Sequence, residues 1–375
     1  MNWIYLRMLD SGHTSYYYPS GKETQLSSAV NGIFRIAVDK YYYEDEFIKY
    51  FSSQGTQDPL LSLTSYVRVV GIRTIIETFL SEFTGDKVQF VNLGSSLDTV
   101  SLYLLSKYPN LVCFDLDLEK EIKTKIDIIT HTKELLSLFP NYKVEKLDFY
   151  SNRYHVLECD LRDVRNLDKL KSHGFSYELP TVFLSEFVLT YLENHLSNQV
   201  IKHFCDNCRS FRLFVDLEYG KLTPMHSLSD YFTKELQIQR YKELGWDGIF
   251  SCDYNFIYNN FINKHERKRL RSIENFNEMD SLGLYCSQPL IIVAHNNFNH
   301  YLINKFNNLF KEKETNTNNT RTNNTEGDNT EGGNDDDELL PYLSDEYLEK
   351  DRSLDPIHQM FYFFFRDNQP YFNPS

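Results

Sequence analysis

Apolar residues recur at roughly helical spacing over 60–83, at Leu61, Leu63, Val67, Val70, Ile75, Ile76, Phe79 and Leu80, so a helix is expected there and a second one over 26–51. Beyond them the pattern changes to short apolar runs separated by longer mixed stretches. The expected order is strand 87–93, helix 97–107, strand 111–116, helix 119–139, strand 153–159, helix 164–171, strand 180–185, helix 194–208, strand 211–217, helix 228–243, strand 249–257, helix 264–281 and strand 288–294. Alternation of this kind builds a mostly parallel sheet covered by helices on both faces. The prediction is an α/β, doubly wound, seven-stranded domain over 84–295 behind an N-terminal helical cap at 1–83.

The periodicity stops after the last strand. Residues 311–338 hold no apolar side chain larger than a threonine methyl, too little buried surface to offset chain entropy, so a linker over 296–338 with a disordered Asn/Thr/acidic tract is expected. The sequons at Asn318 and Asn323 arise readily by chance in such a tract and carry little weight. A tail at 339–375 follows, with a short helix expected over 339–348. Its MFYFFF run at 360–365 is expected to pack against the body, or alternatively to dock on a partner.

Composition narrows the class. In 375 residues, 41% hydrophobic content is ample for a core, and a net charge of −14 disfavours a nucleic-acid backbone as partner. The chain lacks a run of 18 uncharged apolar residues, and its first 25 residues are too polar for a signal-peptide core, so a soluble, cytoplasmic protein without membrane association is expected. Six scattered cysteines suggest no disulfide framework. Cys205 and Cys208 form a C-x-x-C without a second pair at zinc spacing, so a half-buried helix is the simpler expectation and no metal is predicted.

The chemistry lies at the strand ends. In open α/β sheets ligands bind beyond the carboxyl ends of the strands, and here these end at Gly94, Asp117, Asp160, Glu186 and near Asp216 and Glu218. Asp98 and Asp163 could equally be helix caps. For Asp117, Asp160 and Glu186 together a nucleoside site fits better, one carboxylate accepting ribose hydroxyls. The turn G-S-S-L-D after the first strand has Ser96 where a second phosphate-cradling glycine would stand, and an acid behind it, so phosphate is disfavoured. S-adenosylmethionine, a sulfonium without phosphate, suits an acid-rimmed pocket.

Several motifs together resemble the leucine carboxyl methyltransferases: V-N-L-G-x-x-x-D-T at 91–99, Tyr66-Val67-Arg68, F-D-L-D at 114–117, D-L-R-D at 160–163, S-E-F-V-L-T-Y-L at 185–192, Gly245-Trp246 and E-R-K-R-L-R-S-I-E-N-F-N-E-M-D at 266–280. The resemblance runs in order from about 31 to 294. It implies the fold of S-adenosylmethionine-dependent methyltransferases and methylation of the C-terminal leucine carboxylate of the protein phosphatase 2A catalytic subunit, regulating phosphatase assembly. It further implies cofactor contacts at Arg68, Gly94, Asp117, Asp160, Leu161 and Glu186: Arg68 on the methionine carboxylate, Asp117 on the ribose, Asp160 and Leu161 beside the adenine. Tyr191 and Arg68 would shape the acceptor pocket. Two positions depart from the family: Phe34 aligns with a family lysine, whose contact Arg35 would have to supply, and Ser96 replaces a small turn residue.

Such a reaction needs no general base, because a terminal carboxyl with an ordinary pKa of about 3.5 is already ionised at neutral pH. The histidines at 131, 155, 173 and 203 accordingly read as ordinary helix or loop residues. Two alternatives stand beside this reading. One is a tRNA carboxyl methyltransferase of the wybutosine pathway, resembled by L-T-Y-L-E at 189–193; the other is an inactive binding protein retaining the fold. A monomer is expected.

Overall fold

The computed structural model describes residues 32–52, 58–219, 230–231, 233–312 and 339–340. The 360–365 run, the sequons, most of the 339–348 helix, the 313–338 part of the tract and the start of the 26–51 helix lie outside them.

Residues 32–39 (α1) and Ile48–Phe51 (α2) are helical, joined by a turn, so the single helix expected over 26–51 is interrupted. Tyr41 in the turn has φ 63, a left-handed conformation that a helix cannot contain. Pro59–Leu80 (α3) follows, with Asp58 capping Leu60 N–H and proline at its first position. By length and composition α3 could cross a bilayer, but it lies in the core, packed on later helices, with Ile75, Ile76 and Phe79 fully buried.

The alternating region contains β1 Val88–Leu93, α4 Val100–Lys107, β2 Leu111–Asp117, α5 Glu119–His131 and α6 Lys133–Leu136. Next come the short strands β3 Lys143–Glu145 and β4 Asp148–Tyr150, then β5 Tyr154–Glu158, α7 Lys169–Ser172 after a 3₁₀ turn, β6 Thr181–Glu186 and α8 Asn194–Asn207. The chain continues through β7 Arg212–Tyr219, α9 Lys234–Glu243, β8 Gly248–Asp253, α10 Tyr254–Asn260, α11 Lys264–Ile273, α12 Met279–Cys286, β9 Pro289–Asn296 and α13 His300–Leu309.

The nine strands lie in the order β3-β4-β5-β2-β1-β6-β7-β9-β8, with β5, β2, β1, β6 and β7 parallel, β9 antiparallel to both its neighbours, and the β3–β4 hairpin antiparallel at one edge. Among the described residues, nine strands replace the expected seven. The hairpin was missed because β3 is exposed along its whole length, leaving no apolar pattern to read.

Two other boundaries shift for local reasons. The strand expected over 249–257 stops at Asp253, whose carboxylate accepts Phe256 N–H at 2.7 Å and starts α10 inside what looks like one apolar run. The helix expected over 264–281 is two helices, separated near Asn275, which has φ 51.

Helices cover both faces of the sheet. One face buries Ile75, Ile76, Phe79, Phe90, Cys113, Ile122 and Val293, the other Val91, Leu93, Phe114, Phe183, Phe204 and Trp246. Every residue of β1 is buried, as a central parallel strand covered twice requires. The six cysteines are all free and buried, with Cys205 Sγ 3.1 Å from the Gly245 carbonyl oxygen, and no cluster suited to a metal ion occurs among the described residues.

Leu340 is buried against the body, and its N–H and carbonyl exchange two hydrogen bonds with the Asn259 amide, at 2.9 and 3.1 Å. At least this point of the segment after the low-complexity tract belongs to the folded unit.

Candidate cofactor site

Register puts the strand ends in a row. Leu93 is opposite Leu116 on one side and Ser185 on the other, so Gly94, Asp117 and Glu186 emerge together at the carboxyl edge of β1, β2 and β6. The chain reverses direction across the sheet between β1 and β6, the switch point where open α/β sheets leave a crevice.

Gly94 has φ +68, and a Cβ there would lie 2.5 Å from Val188 Cγ2. Both observations require glycine: the turn must be left-handed, and the segment after β6 closes directly over it. Ser96 is also left-handed, at φ 41. Its N–H donates to Asp117 Oδ2 at 2.6 Å, while Leu118 N–H donates to Oδ1 at 2.7 Å. Each carboxylate oxygen thus takes one backbone donor and keeps lone-pair capacity, which suits acceptance from a vicinal diol. Burial raises the Asp117 pKa to about 6 against the pull of those N–H groups.

Asp160 lies one strand further out. Its carboxylate is engaged by the Arg162 side chain, with Arg162 Nη2 to Oδ2 at 2.6 Å, and its pKa is lowered mainly by that bond. Leu161, next to it, is buried with the second core. Asp163 caps the following 3₁₀ turn through Arg165 N–H at 3.1 Å, the ordinary role weighed for it above.

On the other side of Gly94 the site is assembled from distant parts of the chain. Arg68 Nε on α3 donates to Glu186 Oε1 at the end of β6. Its guanidinium lies between two aromatic rings, 4.9 Å from the centroid of Phe34 on α1 and 4.9 Å from that of Phe187, which is held at φ 56. Phe34, where the family has a lysine, therefore contributes a ring face to a cation. Arg35 does not take over the lysine's position toward the site; its Nε bonds Asp39 on its own helix at 2.8 Å.

A cleft beside Glu186 is lined by Phe34, Tyr43, Asp45, Arg73, Asp98 and Thr99, with aliphatic residues of α3 behind them. Asp45 Oδ2 joins two elements, accepting Arg73 Nη2 at 2.9 Å and Thr99 Oγ1 at 2.8 Å. Asp98 fixes the start of α4 through Val100 N–H at 2.9 Å, and burial, reinforced by the nearby Glu186, raises its pKa to about 6. Its capping role and its place in the cleft coexist. Tyr43, Asp45 and Arg73 were not found from sequence; they sit in the charged and aromatic YYYEDEF stretch and on the polar side of α3, where nothing in the periodicity marks them. Tyr191 stands 37% exposed in a 3₁₀ turn beyond β6 and does not line this cleft.

Two acids read as strand-end candidates point elsewhere. Asp216 and Glu218 on β7 are fully buried; Tyr241 hydroxyl donates to Asp216 at 2.7 Å, and Glu218 lies 3.5 Å from Arg240. They form an internal network, so acidic residues at this strand end do not face a ligand. Asp115 of F-D-L-D is likewise interior, paired with buried Lys125 at 2.5 Å and bonded by Tyr154 hydroxyl at 2.7 Å.

This strand order, a single tight glycine turn, a carboxylate ending the second strand and no phosphate-cradling loop define an S-adenosylmethionine-dependent methyltransferase, with S-adenosylmethionine as cofactor. A family profile described as leucine carboxyl methyltransferase matches residues 35–205. Over these residues the chain is similar to the leucine carboxyl methyltransferases.

It is 28% identical to leucine carboxyl methyltransferase 1 of Caenorhabditis elegans, over 69% of this chain and 86% of that one. It is 30% identical to tRNA wybutosine-synthesizing protein 4 of Rattus norvegicus over 63% of this chain, but spans only 38% of that protein. Among solved structures, the carbon methyltransferase CurJ aligns over 78% of this chain and 79% of its own, with 12% identity and a TM-score of 0.40.

Proposed function

We propose that this protein methylates the C-terminal leucine carboxylate of the protein phosphatase 2A catalytic subunit. The observation that carries the reading is the match to the nematode leucine carboxyl methyltransferase 1 over 86% of that relative's length. It is supported by a site whose chemistry is positioning and charge, with no nucleophile–base pair needed.

In this reading Asp117 accepts the ribose hydroxyls, Asp160 and Leu161 border the adenine, Gly94 allows close approach of the backbone, and Arg68 receives the methionine carboxylate. Glu186 holds Arg68 in place from the sheet edge. When bound, S-adenosylmethionine supplies a methyl group activated by sulfonium charge. The work left to the chain is to align an already ionised carboxylate with that methyl and to strip water from it, and near-attack alignment can supply up to roughly 7–11 kcal/mol. The cleft beside Glu186, apolar at Val69 and Ile72 and polar at Asp45 and Arg73, is the place we assign to the junction of cofactor and acceptor. Tyr191 is assigned to the outer acceptor surface.

The 30% identity to the wybutosine-synthesizing protein favours a second reading, carboxyl methylation of a modified tRNA base. Transfer of labelled methyl to the purified phosphatase catalytic subunit, to the same subunit lacking its terminal leucine, and to tRNA separates them. Incorporation only into the intact subunit is expected; label in tRNA alone would replace the proposal by the second reading, and no label in any acceptor despite cofactor binding would refute both.

A further inference from the structure

The 266–280 motif is part of the family resemblance, yet none of its residues lines the cleft. Its polar side chains instead converge on one short turn. Arg269 on α11 donates from Nη1 to the Tyr41 carbonyl and from Nη2 to the Tyr42 carbonyl, both at 2.8 Å. Glu266 orients that guanidinium, accepting Nε at 2.8 Å and Nη2 at 2.6 Å, and also accepts the Tyr66 hydroxyl on α3 at 2.8 Å. Glu274, at the end of α11, takes the Tyr42 hydroxyl at 3.0 Å and pairs with Lys40. Two residues of one motif, Arg269 and Glu274, therefore bind three consecutive residues, 40–42, and Glu266 orients the first of them.

That turn is not a relaxed one. Tyr41 is left-handed and 83% exposed, so its own side chain contributes little to holding it, whereas a planar guanidinium can hold two adjacent carbonyls at once. The turn leads directly into the site. Tyr43, next in the chain, lines the cleft and donates through its hydroxyl to the Phe34 carbonyl at 3.4 Å, and Asp45 ties Arg73 to Thr99. Behind the turn, α1 carries the Phe34 ring that faces Arg68.

We infer that Glu266, Arg269 and Glu274 are positioning residues for cofactor binding: by clamping residues 40–42 they set Tyr43 and Asp45 in the cleft wall and Phe34 against Arg68. None of the three reaches the cleft, so they act through the turn. The inference uses the cofactor alone and stands apart from the identity of the methyl acceptor.

The test is calorimetric titration of the full chain with S-adenosylhomocysteine, at a temperature well below each variant's melting point. Arg269→Ala should weaken binding about tenfold, and Arg269→Lys, which keeps the charge and can reach one carbonyl, should recover part of the loss. Glu274→Gln preserves size and is the fallback if Arg269→Ala does not fold; about threefold weaker binding is expected from it. Lys268→Ala, on an exposed position of the same helix, should bind like wild type. A purely structural role would lower the melting temperature and leave the dissociation constant unchanged. Wild-type affinity in folded Arg269→Ala or Glu274→Gln, or an equal loss in Lys268→Ala, would overturn the inference.

Discussion

The two sides of the Gly94 turn are built by different means. On the β2–β5 side, each carboxylate is fastened close to its own place in the sheet: Asp117 by backbone N–H groups at the strand ends, Asp160 by Arg162 two residues on. On the β6 side, Arg68 comes from α3, Glu186 from β6, Phe34 from α1, and the turn that walls the cleft is held by α11. Local fastening makes the first side a property of the sheet. The second side exists only when the N-terminal helices are docked, so there binding and folding are coupled.

Substitutions should separate the two. Arg68→Ala leaves Glu186 half-buried without its ion-pair partner and unties α3 from β6, which should cost on the order of 3 kcal/mol. Thermal melts should show a clear drop in melting temperature, and titration with S-adenosylhomocysteine a large loss of affinity; a loss of affinity with unchanged stability would mean that this side does not couple the two. Asp117→Ala should do the reverse. Loss of a charged hydrogen-bond acceptor should weaken the cofactor by about 1.5–3 kcal/mol, roughly 10- to 150-fold, while the melting temperature changes little because the buried charge is removed with it. Undiminished affinity in that variant would remove the ribose role assigned to Asp117.

The smallest expected effect is on pH. Because burial raises Asp117 to about 6, above its ordinary value, the folded chain takes up this proton before the unfolded chain does as pH falls. Its charge therefore costs stability above pH 6, and that cost is relieved between about pH 6 and 4. Binding moves the other way, since protonation removes acceptor capacity: affinity for S-adenosylhomocysteine should fall several-fold from pH 7.5 to 5.5. An Asp117→Asn variant should show a flatter profile; an equal slope in both would assign the dependence to another group, such as Asp98.

The same contrast explains what the sequence made legible. The strand–helix alternation, the glycine turn and the acid ending β2 are local patterns, and the structure has them at the expected places. Strand β3 of the hairpin is exposed throughout and carries no apolar signal, and the start of α10 and the end of α11 depend on single residues inside longer runs, Asp253 through its carboxylate and Asn275 through its left-handed backbone. Asp216 and Glu218 misled because a strand-end acid looks the same in sequence whether it meets solvent or Tyr241 and Arg240. The cleft residues Tyr43, Asp45 and Arg73 are adjacent only after docking, and no spacing rule joins α1, the 40–47 turn, α3 and α4.

The six enclosed thiols give this protein a built-in gauge of its own opening. Burial pushes Cys159 and Cys208 up to about 12, so reactive thiolate is scarce at neutral pH, and none of the six is accessible in the folded chain. Alkylation must wait for the surrounding layers to part. Cys113 and Cys159 lie on the β2–β5 side, Cys252 and Cys286 beneath the later helices, so the order in which they are labelled would report which half of the molecule comes apart first.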